Sequence, residues 1–183
     1  MAFIFEPLKI PEVKYIKPLK FLDRRGFFLK LYNKSEFLKN GINYDFVEDS
    51  ISQSDKYVLR GLHYQIAPNS EGKIVHVIKG KIFDVVVDLR KESKTFGKWL
   101  SINLSGDSPS ALWIPPGFAH GFMALKPETL LLYKMTAHYD EKSQRGILWS
   151  DKQLSIKWPT FNPILSERDS KFPELKDAEI NYL

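Results

Sequence analysis

The chain contains no cysteine, which excludes disulfide bonds, thiol catalysis and metal sites built on thiolates. It has no apolar run of the roughly 20 residues that a membrane-spanning helix needs. The N-terminal segment lacks a basic region followed by an apolar stretch, so no signal peptide is predicted. These absences predict a cytoplasmic protein that has no membrane partner.

Positive charge is not concentrated anywhere in the sequence. The formal net charge is +5, from 27 lysine and arginine residues against 22 acidic ones, yet no basic block occurs. Nucleic-acid-binding domains usually carry such a block on one face. The sequence therefore predicts an anionic partner of nucleotide size and no nucleic acid.

The composition predicts one globular domain rich in strands, residues 1–183, because 43% of the residues are hydrophobic and 14% aromatic. The clearest local signal is a hairpin, since Lys79-Gly80 separates the β-like runs 73–78 and 81–89. Short β-like runs that end at Gly, Pro or Asp turns favour an all-β sandwich or barrel over an α/β sheet. The further runs are 98–104, 111–114 and 129–137.

One short helix is predicted over 33–41. Asn33 is placed to cap its start, with Glu36 reaching back, and Gly41 to end it. The tail that begins at Trp158 shows no periodicity. Aromatic residues predict that this tail packs over the rest of the chain. They are Trp158, Phe161 and Phe172.

The most informative stretch is Arg60-Gly61-Leu62-His63, which is followed by Lys73. The runs on either side are β-like, so a guanidinium, an imidazole and an ammonium are expected to face one cavity. A base beside a fixed positive charge suits proton abstraction next to a carbonyl. The base takes the proton, and the cation stabilises the enolate oxygen that forms.

Ten sequence blocks, in order along the chain, resemble the dTDP-4-dehydrorhamnose 3,5-epimerase family, sugar-nucleotide epimerases of the cupin type. The resemblance implies a homodimeric jelly roll that needs no cofactor. It also implies inversion at C3 and C5 of dTDP-4-dehydro-6-deoxy-D-glucose, which gives the L-rhamnose precursor. The blocks are RGFF (25–28), VLRGLH (58–63), GK (72–73), FDV (83–85), DLRKES (88–93), TFGKW (95–99), LWIP (112–115), GFAHGF (117–122), LYK (132–134) and LW (148–149).

The same resemblance implies the catalytic roles. His63 corresponds to the family's base, and Asp169 in the tail to the carboxylate that orients it. Lys73 is expected to meet the C4 oxygen. Independently of the resemblance, Asp84 is expected to fix the Lys73 ammonium, because it lies on the next predicted strand. Tyr133 corresponds to the acid, and its presence favours inversion at both carbons.

A substrate-binding set is also predicted, partly from the resemblance and partly because the planar guanidinium group of arginine matches phosphate oxygens well. Its members are Arg25, Arg60, Lys73, His120, Arg168, Glu48 and Ser50. The nucleotide base is expected to stack on an aromatic ring, for which Phe21, Phe27 and Phe28 are the candidates.

Five positions depart from the family pattern. Lys30 and Arg145 stand where glutamate is common, and Glu48-Asp49-Ser50 replaces a glutamine-aspartate-asparagine triplet. His138 stands where an aromatic residue often precedes Tyr139. These departures affect substrate and partner contacts and leave the catalytic set intact.

Three alternatives remain open. A metal cupin would need more imidazoles than the chain offers, because His63 is followed by Gln65 and no His-x-His occurs among four histidines. No metal site is therefore predicted. The other two alternatives are an epimerase that inverts one carbon only and a non-catalytic sugar-nucleotide binder on the same fold.

Overall fold

The computed structural model describes residues 2–183. Within them the chain forms mostly β-structure, with one α-helix and two 3₁₀ turns near the C-terminus. The strands are β1 (Phe3–Pro7), β2 (Lys14–Pro18), β3 (Phe21–Asp23), β4 (Gly26–Phe28), β5 (Glu48–Ser54), β6 (Leu59–Gln65), β7 (Lys73–Lys79), β8 (Lys81–Asp88), β9 (Trp99–Ser105), β10 (Ala111–Ile114), β11 (Phe118–Ala124), β12 (Thr129–Met135) and β13 (Gln144–Gly146). The helix is α1 (Lys34–Lys39), and the 3₁₀ turns are Asp169–Lys171 and Leu175–Asp177.

The strands form two large antiparallel sheets. The first has the order β1-β2-β10-β7-β12-β5, and the second has the order β13-β6-β11-β8-β9. Alternate residues of a strand point to opposite faces, so each sheet offers one face to a core that the two sheets share. Val75 and Val77 of the first sheet pack there with Val86 and Phe122 of the second.

The tail covers the outer face of the second sheet. Trp158, Leu175 and Tyr182 are buried there, against Val85 and Val87 of β8. Packing of the tail was predicted from its aromatic residues, but Phe161 is an exception because it is 90% exposed.

The outer face of the first sheet is covered at one end by α1. Phe37 of the helix is fully buried against Ile74 and Trp113. The side chain of Asn33 accepts a hydrogen bond from the Glu36 N–H at 3.0 Å, as the capping prediction required. Glu36 does not complete a capping box, since its carboxylate accepts the Ala2 N–H at 2.8 Å instead.

The hairpin of β3 and β4 forms a separate two-stranded sheet. All six of its strand residues are exposed, including Phe21, Leu22, Phe27 and Phe28. Strands β1 to β5, β11 and β13 were not among the β-like runs predicted from the sequence. Within residues 2–183 no helix is long and apolar enough to cross a bilayer.

Candidate active site

A cavity of about 320 Å³ lies between the two large sheets, with walls from both. Seven of the predicted site residues line it: Glu48, Ser50, Arg60, His63, Lys73, His120 and Tyr133. A second cavity of about 270 Å³ shares Arg60 and His63 with it and is also lined by Arg168 and Asp169. The structure therefore brings nine predicted residues to one region.

His63 lies on β6, and its partner lies on the tail. Nε2 of His63 is 2.9 Å from Oδ1 of Asp169. The other carboxylate oxygen accepts the Gly61 N–H at 3.0 Å, which anchors the carboxylate to the base's own strand. With Asp169 ionised, Nε2 carries the proton and donates, so Nδ1 is left as the acceptor.

The electrostatics of this pair suit a base. Burial lowers the pKa of His63 below 6.5, against the opposing effect of Asp169. Asp169 is 2% exposed, and burial alone would raise its pKa. The hydrogen bonds from His63 and from the Gly61 N–H outweigh this effect and lower the pKa of Asp169 to about 2. At neutral pH the imidazole is uncharged and the carboxylate is ionised.

Gly61 allows β6 to approach β11 closely. A Cβ atom on Gly61 would lie 2.6 Å from the carbonyl oxygen of His120 and 2.7 Å from Cα of Gly121, and its φ is +115°. Because of this close approach, His63 and His120 pair in register across the two strands. Both imidazoles therefore line the same cavity.

Lys73 lies at the start of β7, in the opposite sheet. Its ammonium forms an ion pair with Glu71, another residue of the cavity wall. The expected contact with Asp84 is wrong, because Oδ2 of Asp84 is instead 2.9 Å from Nε2 of His120. Asp84 is fully buried, and burial raises its pKa against the opposing effect of His120.

Tyr133 lies on β12, also in the sheet opposite His63. Its hydroxyl is hydrogen-bonded to the Ser52 hydroxyl at 2.9 Å. Burial raises the pKa of Tyr133 to about 12, so the phenol is protonated at neutral pH. The cavity thus has a free base on one wall, and an acid and a cation on the other.

The three predicted arginines have different surroundings. Arg60 donates to the Ser54 hydroxyl and to the Gln53 carbonyl, both at 3.0 Å. Arg168 donates to the side-chain oxygen of Gln144 at 2.9 Å. Arg25 lies outside both cavities, because it occupies the exposed β3–β4 turn and pairs with Asp23 at 2.6 Å.

Two departures from the family pattern meet at the mouth of the cavity. Nδ1 of His138 is 3.5 Å from Oε2 of Glu48, and the same carboxylate accepts the Tyr139 N–H at 3.2 Å. Arg145 lies outside the cavity and its charge is balanced by Glu179, whose Oε2 accepts from Nε of Arg145 at 2.7 Å.

Sequence reasoning missed two polar residues of the cavity wall, Glu71 and Gln144. Glu71 had only its position two residues before Lys73 as a signal, because it precedes β7 and strand alternation does not apply to it. Gln144 had none, because β13 is only three residues long. Within residues 2–183 no three His, Cys, Asp or Glu side chains are grouped to hold a metal ion.

Known proteins share this sequence and structure. The model of the dTDP-4-dehydrorhamnose 3,5-epimerase family matches residues 7–177. The dTDP-4-dehydrorhamnose 3,5-epimerase of Shigella flexneri is 47% identical over 172 residues, which cover 93% of this chain and 95% of the relative.

Two crystal structures are similar over nearly the whole chain. The dTDP-6-deoxy-D-glucose-3,5-epimerase of Legionella pneumophila, in complex with dTDP-4-keto-L-rhamnose, has a TM-score of 0.95 and 38% identity, covering 99% of this chain and 98% of that one. The dTDP-4-dehydrorhamnose 3,5-epimerase of Bacillus anthracis, with TDP and PPi bound, has a TM-score of 0.93 and 41% identity, covering 95% and 100%. The chain therefore belongs to the dTDP-4-dehydrorhamnose 3,5-epimerase family.

Proposed function

We propose that the protein epimerises dTDP-4-dehydro-6-deoxy-D-glucose at C3 and C5 to dTDP-4-dehydro-L-rhamnose, as an isomerase of dTDP-L-rhamnose biosynthesis. One observation carries the proposal. An uncharged imidazole and a protonated phenol, His63 and Tyr133, line one cavity from opposite sheets, with the Lys73 ammonium in the same wall as the phenol. Inversion of a carbon requires a base and an acid on its two faces.

The first step is proton abstraction. C3 and C5 both lie next to the C4 ketone, so their hydrogens are acidified by the carbonyl group. Nδ1 of His63 takes the proton, and the electron pair moves into the C4 carbonyl to form an enolate. Asp169 stabilises the imidazolium that results, because its carboxylate accepts a hydrogen bond from Nε2.

The second step is stabilisation and reprotonation of the enolate. The Lys73 ammonium donates to the C4 oxygen as negative charge develops there. Tyr133 then delivers its phenolic proton to the opposite face of the carbon, which inverts the centre. His63 loses its proton to solvent and Tyr133 regains one, so each cycle leaves one solvent-derived hydrogen on the inverted carbon. The acidity comes from the ketone itself, and the proposal needs no cofactor.

The substrate's diphosphate is assigned to the cationic side of the site. Arg60 and Arg168 lie around the smaller cavity, where their planar guanidinium groups suit phosphate oxygens. Glu48, Ser50 and His120 line the larger cavity and are assigned to the sugar or the nucleoside.

The fold is proposed to be a cupin jelly roll that forms a single domain, 1–183. Two antiparallel sheets that share one core support this, and so does the tail that covers the second sheet. A cytoplasmic location remains a prediction from the sequence.

The active form is proposed to be a homodimer. The β3–β4 hairpin exposes Leu22 by 75%, Phe27 by 60% and Phe28 by 63%, and β5, an edge strand of the first sheet, exposes Ile51 by 66%. An isolated two-stranded hairpin is marginally stable in water, so a second copy of the chain is the expected support. Arg25 lies in this hairpin, and its predicted substrate contact requires the hairpin to reach the cavity of a second protomer.

The test is NMR of the keto-sugar nucleotide with the protein in D₂O. Deuterium at both C3 and C5, with the L-rhamno product, supports the proposal. Label at one carbon only makes the protein a mono-epimerase, and nucleotide binding without label makes it a non-catalytic binder. Sedimentation at a mass of one chain contradicts the homodimer.

A further inference from the structure

We propose that Glu71 is a positioning residue, whose carboxylate holds the Lys73 ammonium in place for the C4 oxygen of the substrate. The inference rests on the proposed function, since it concerns the residue that stabilises the enolate. Glu71 itself need not touch the reacting atoms. Its effect is exerted through Lys73.

The two side chains are buried together. Their exposed fractions are 7% for Glu71 and 13% for Lys73, and they form an ion pair. In every other lysine–carboxylate pair of residues 2–183, at least one side chain is 54% exposed or more. Surface pairs are screened by water and contribute little, whereas removal of one partner of a buried pair leaves the other charge buried and uncompensated.

The backbone between them is fixed by its surroundings. The Gly72 N–H donates to the Thr136 hydroxyl at 2.8 Å, and the Gly72 carbonyl accepts the Thr136 N–H at 2.9 Å. A Cβ atom on Gly72 would lie 2.8 Å from Pro116 and from Trp113, so the chain passes through a tight gap. The Glu71 carboxylate therefore has little freedom to leave Lys73.

The other buried carboxylate near Lys73 is already engaged. Oδ2 of Asp84 is hydrogen-bonded to His120 and Oδ1 has no hydrogen-bond partner within residues 2–183, so the Lys73 ammonium pairs with Glu71 and not with Asp84. A lysine side chain is long and flexible, and its ammonium has three donors. The Glu71 carboxylate pairs with one of these donors and leaves the other two for the substrate. The ammonium is therefore oriented before the enolate forms.

A double-mutant cycle tests this. Glu71→Gln removes the charge with almost no change in shape and is expected to lower kcat by about 10- to 100-fold with little change in KM. In the Lys73→Met background the same substitution is expected to change kcat by less than about twofold, because the residue it acts through is gone. Glu71→Asp keeps the charge and is expected to recover part of the loss. Glu128→Gln, which breaks the exposed pair with Lys79, is the matched control and leaves kcat unchanged.

An equal loss of kcat from Glu71→Gln in both backgrounds overturns the inference and makes Glu71 a purely structural residue. Titration of each variant with dTDP gives the fraction of competent sites, so that loss of folded protein is not counted as loss of kcat. The ¹⁵N order parameter of the Lys73 ammonium, measured without turnover, is expected to fall in Glu71→Gln. An unchanged order parameter overturns the role of Glu71, whereas a wild-type protein that incorporates no deuterium overturns the proposed function.

Discussion

Oδ1 of Asp169 lies 2.9 Å from Nε2 of His63, although the two residues are 106 positions apart in the chain. One belongs to a central β-strand and the other to a 3₁₀ turn of the tail. The tail therefore supplies the carboxylate that orients the candidate base, in addition to covering the second sheet.

Asp169→Asn is expected to lower kcat by at least about 100-fold. An amide does not stabilise the imidazolium, and it no longer holds His63 in the tautomer that leaves Nδ1 free. Deuterium incorporation at C3 and C5 measures the loss. Asp177→Asn, an exposed aspartate of the same tail, is the control and keeps full activity. Activity of Asp169→Asn within a factor of about three of wild type argues against this role.

The pH dependence of kcat/KM is expected to show an acid limb with a midpoint below 6.5, because burial lowers the pKa of His63. Asp169 favours the charged imidazole, so the Asp169→Asn limb moves to still lower pH. Initial rates from about pH 5 to pH 8 locate both midpoints. A wild-type midpoint above 6.5 contradicts this prediction.

Tyr133→Phe is expected to separate exchange from inversion. His63 still abstracts a proton, exchanges it with D₂O and delivers a deuteron to the same face, so deuterium enters the substrate while inversion falls by about 100-fold or more. NMR distinguishes labelled substrate from labelled product. Tyr44→Phe, a change outside the cavity, leaves both rates unchanged. Equal loss of exchange and inversion in Tyr133→Phe would remove the assignment of the acid.

Gly146→Ala is expected to destabilise the protein by about 1–3 kcal/mol and to lower kcat/KM. A Cβ atom there would lie 2.3 Å from the Phe172 ring, which itself packs edge-on against His63 at 5.6 Å between centroids. Displacing Phe172 shifts the tail near Asp169. Thermal unfolding and initial rates measure the two effects. Phe172→Leu in the Gly146→Ala background makes room and recovers part of both, and a Gly146→Ala protein of wild-type stability refutes the clash.

His76 is expected to make the folded protein less stable in acid. Burial lowers its pKa to about 4 from 6.5, so the unfolded chain binds a proton that the folded chain does not between these values. Above pH 6.5 the titration of His76 takes nothing from the free energy of unfolding. As the pH falls towards 4, it lowers that free energy by about 3 kcal/mol. Urea unfolding at fixed protein concentration measures it.

In His76→Leu the dependence of unfolding free energy on pH is expected to flatten over that range, leaving the part due to His63, whose pKa is also lowered by burial. Leu38→Gln, at a side chain that is 50% exposed and carries no titratable group, is the control and leaves the dependence unchanged. A wild-type slope in His76→Leu refutes the contribution of His76.

Local signals predicted the local structure well. The Asn33 cap and the strand at Ala111–Ile114 lie where the sequence placed them. The chain also turns at Lys79-Gly80, but the hairpin predicted there is wrong, because β7 and β8 lie in different sheets and do not pair with each other. Strands β1 and β2 were missed because they are short, and because Pro7 and Pro18 end them.

Contacts between distant side chains were only partly predictable. The pairing of His63 with Asp169 came from the family resemblance, since nothing local links the two residues. Asp84 was assigned to Lys73 because they lie on successive strands, but the register of β8 against β11 places Asp84 beside His120 instead. Arg25 was assigned to the site from its motif. The motif does not tell whether Arg25 contacts substrate in the cavity of its own protomer or in that of a second one.

The separation of Asp169 from His63 by 106 positions has a consequence for synthesis. A ribosome releases the strand that holds His63 long before it releases the segment that orients it. In the proposed mechanism the nascent protein therefore stays inactive until the segment with Asp169 has emerged and docked. Proteolytic cleavage between β13 and Asp169 would then silence the enzyme, although every strand of both sheets precedes the cut.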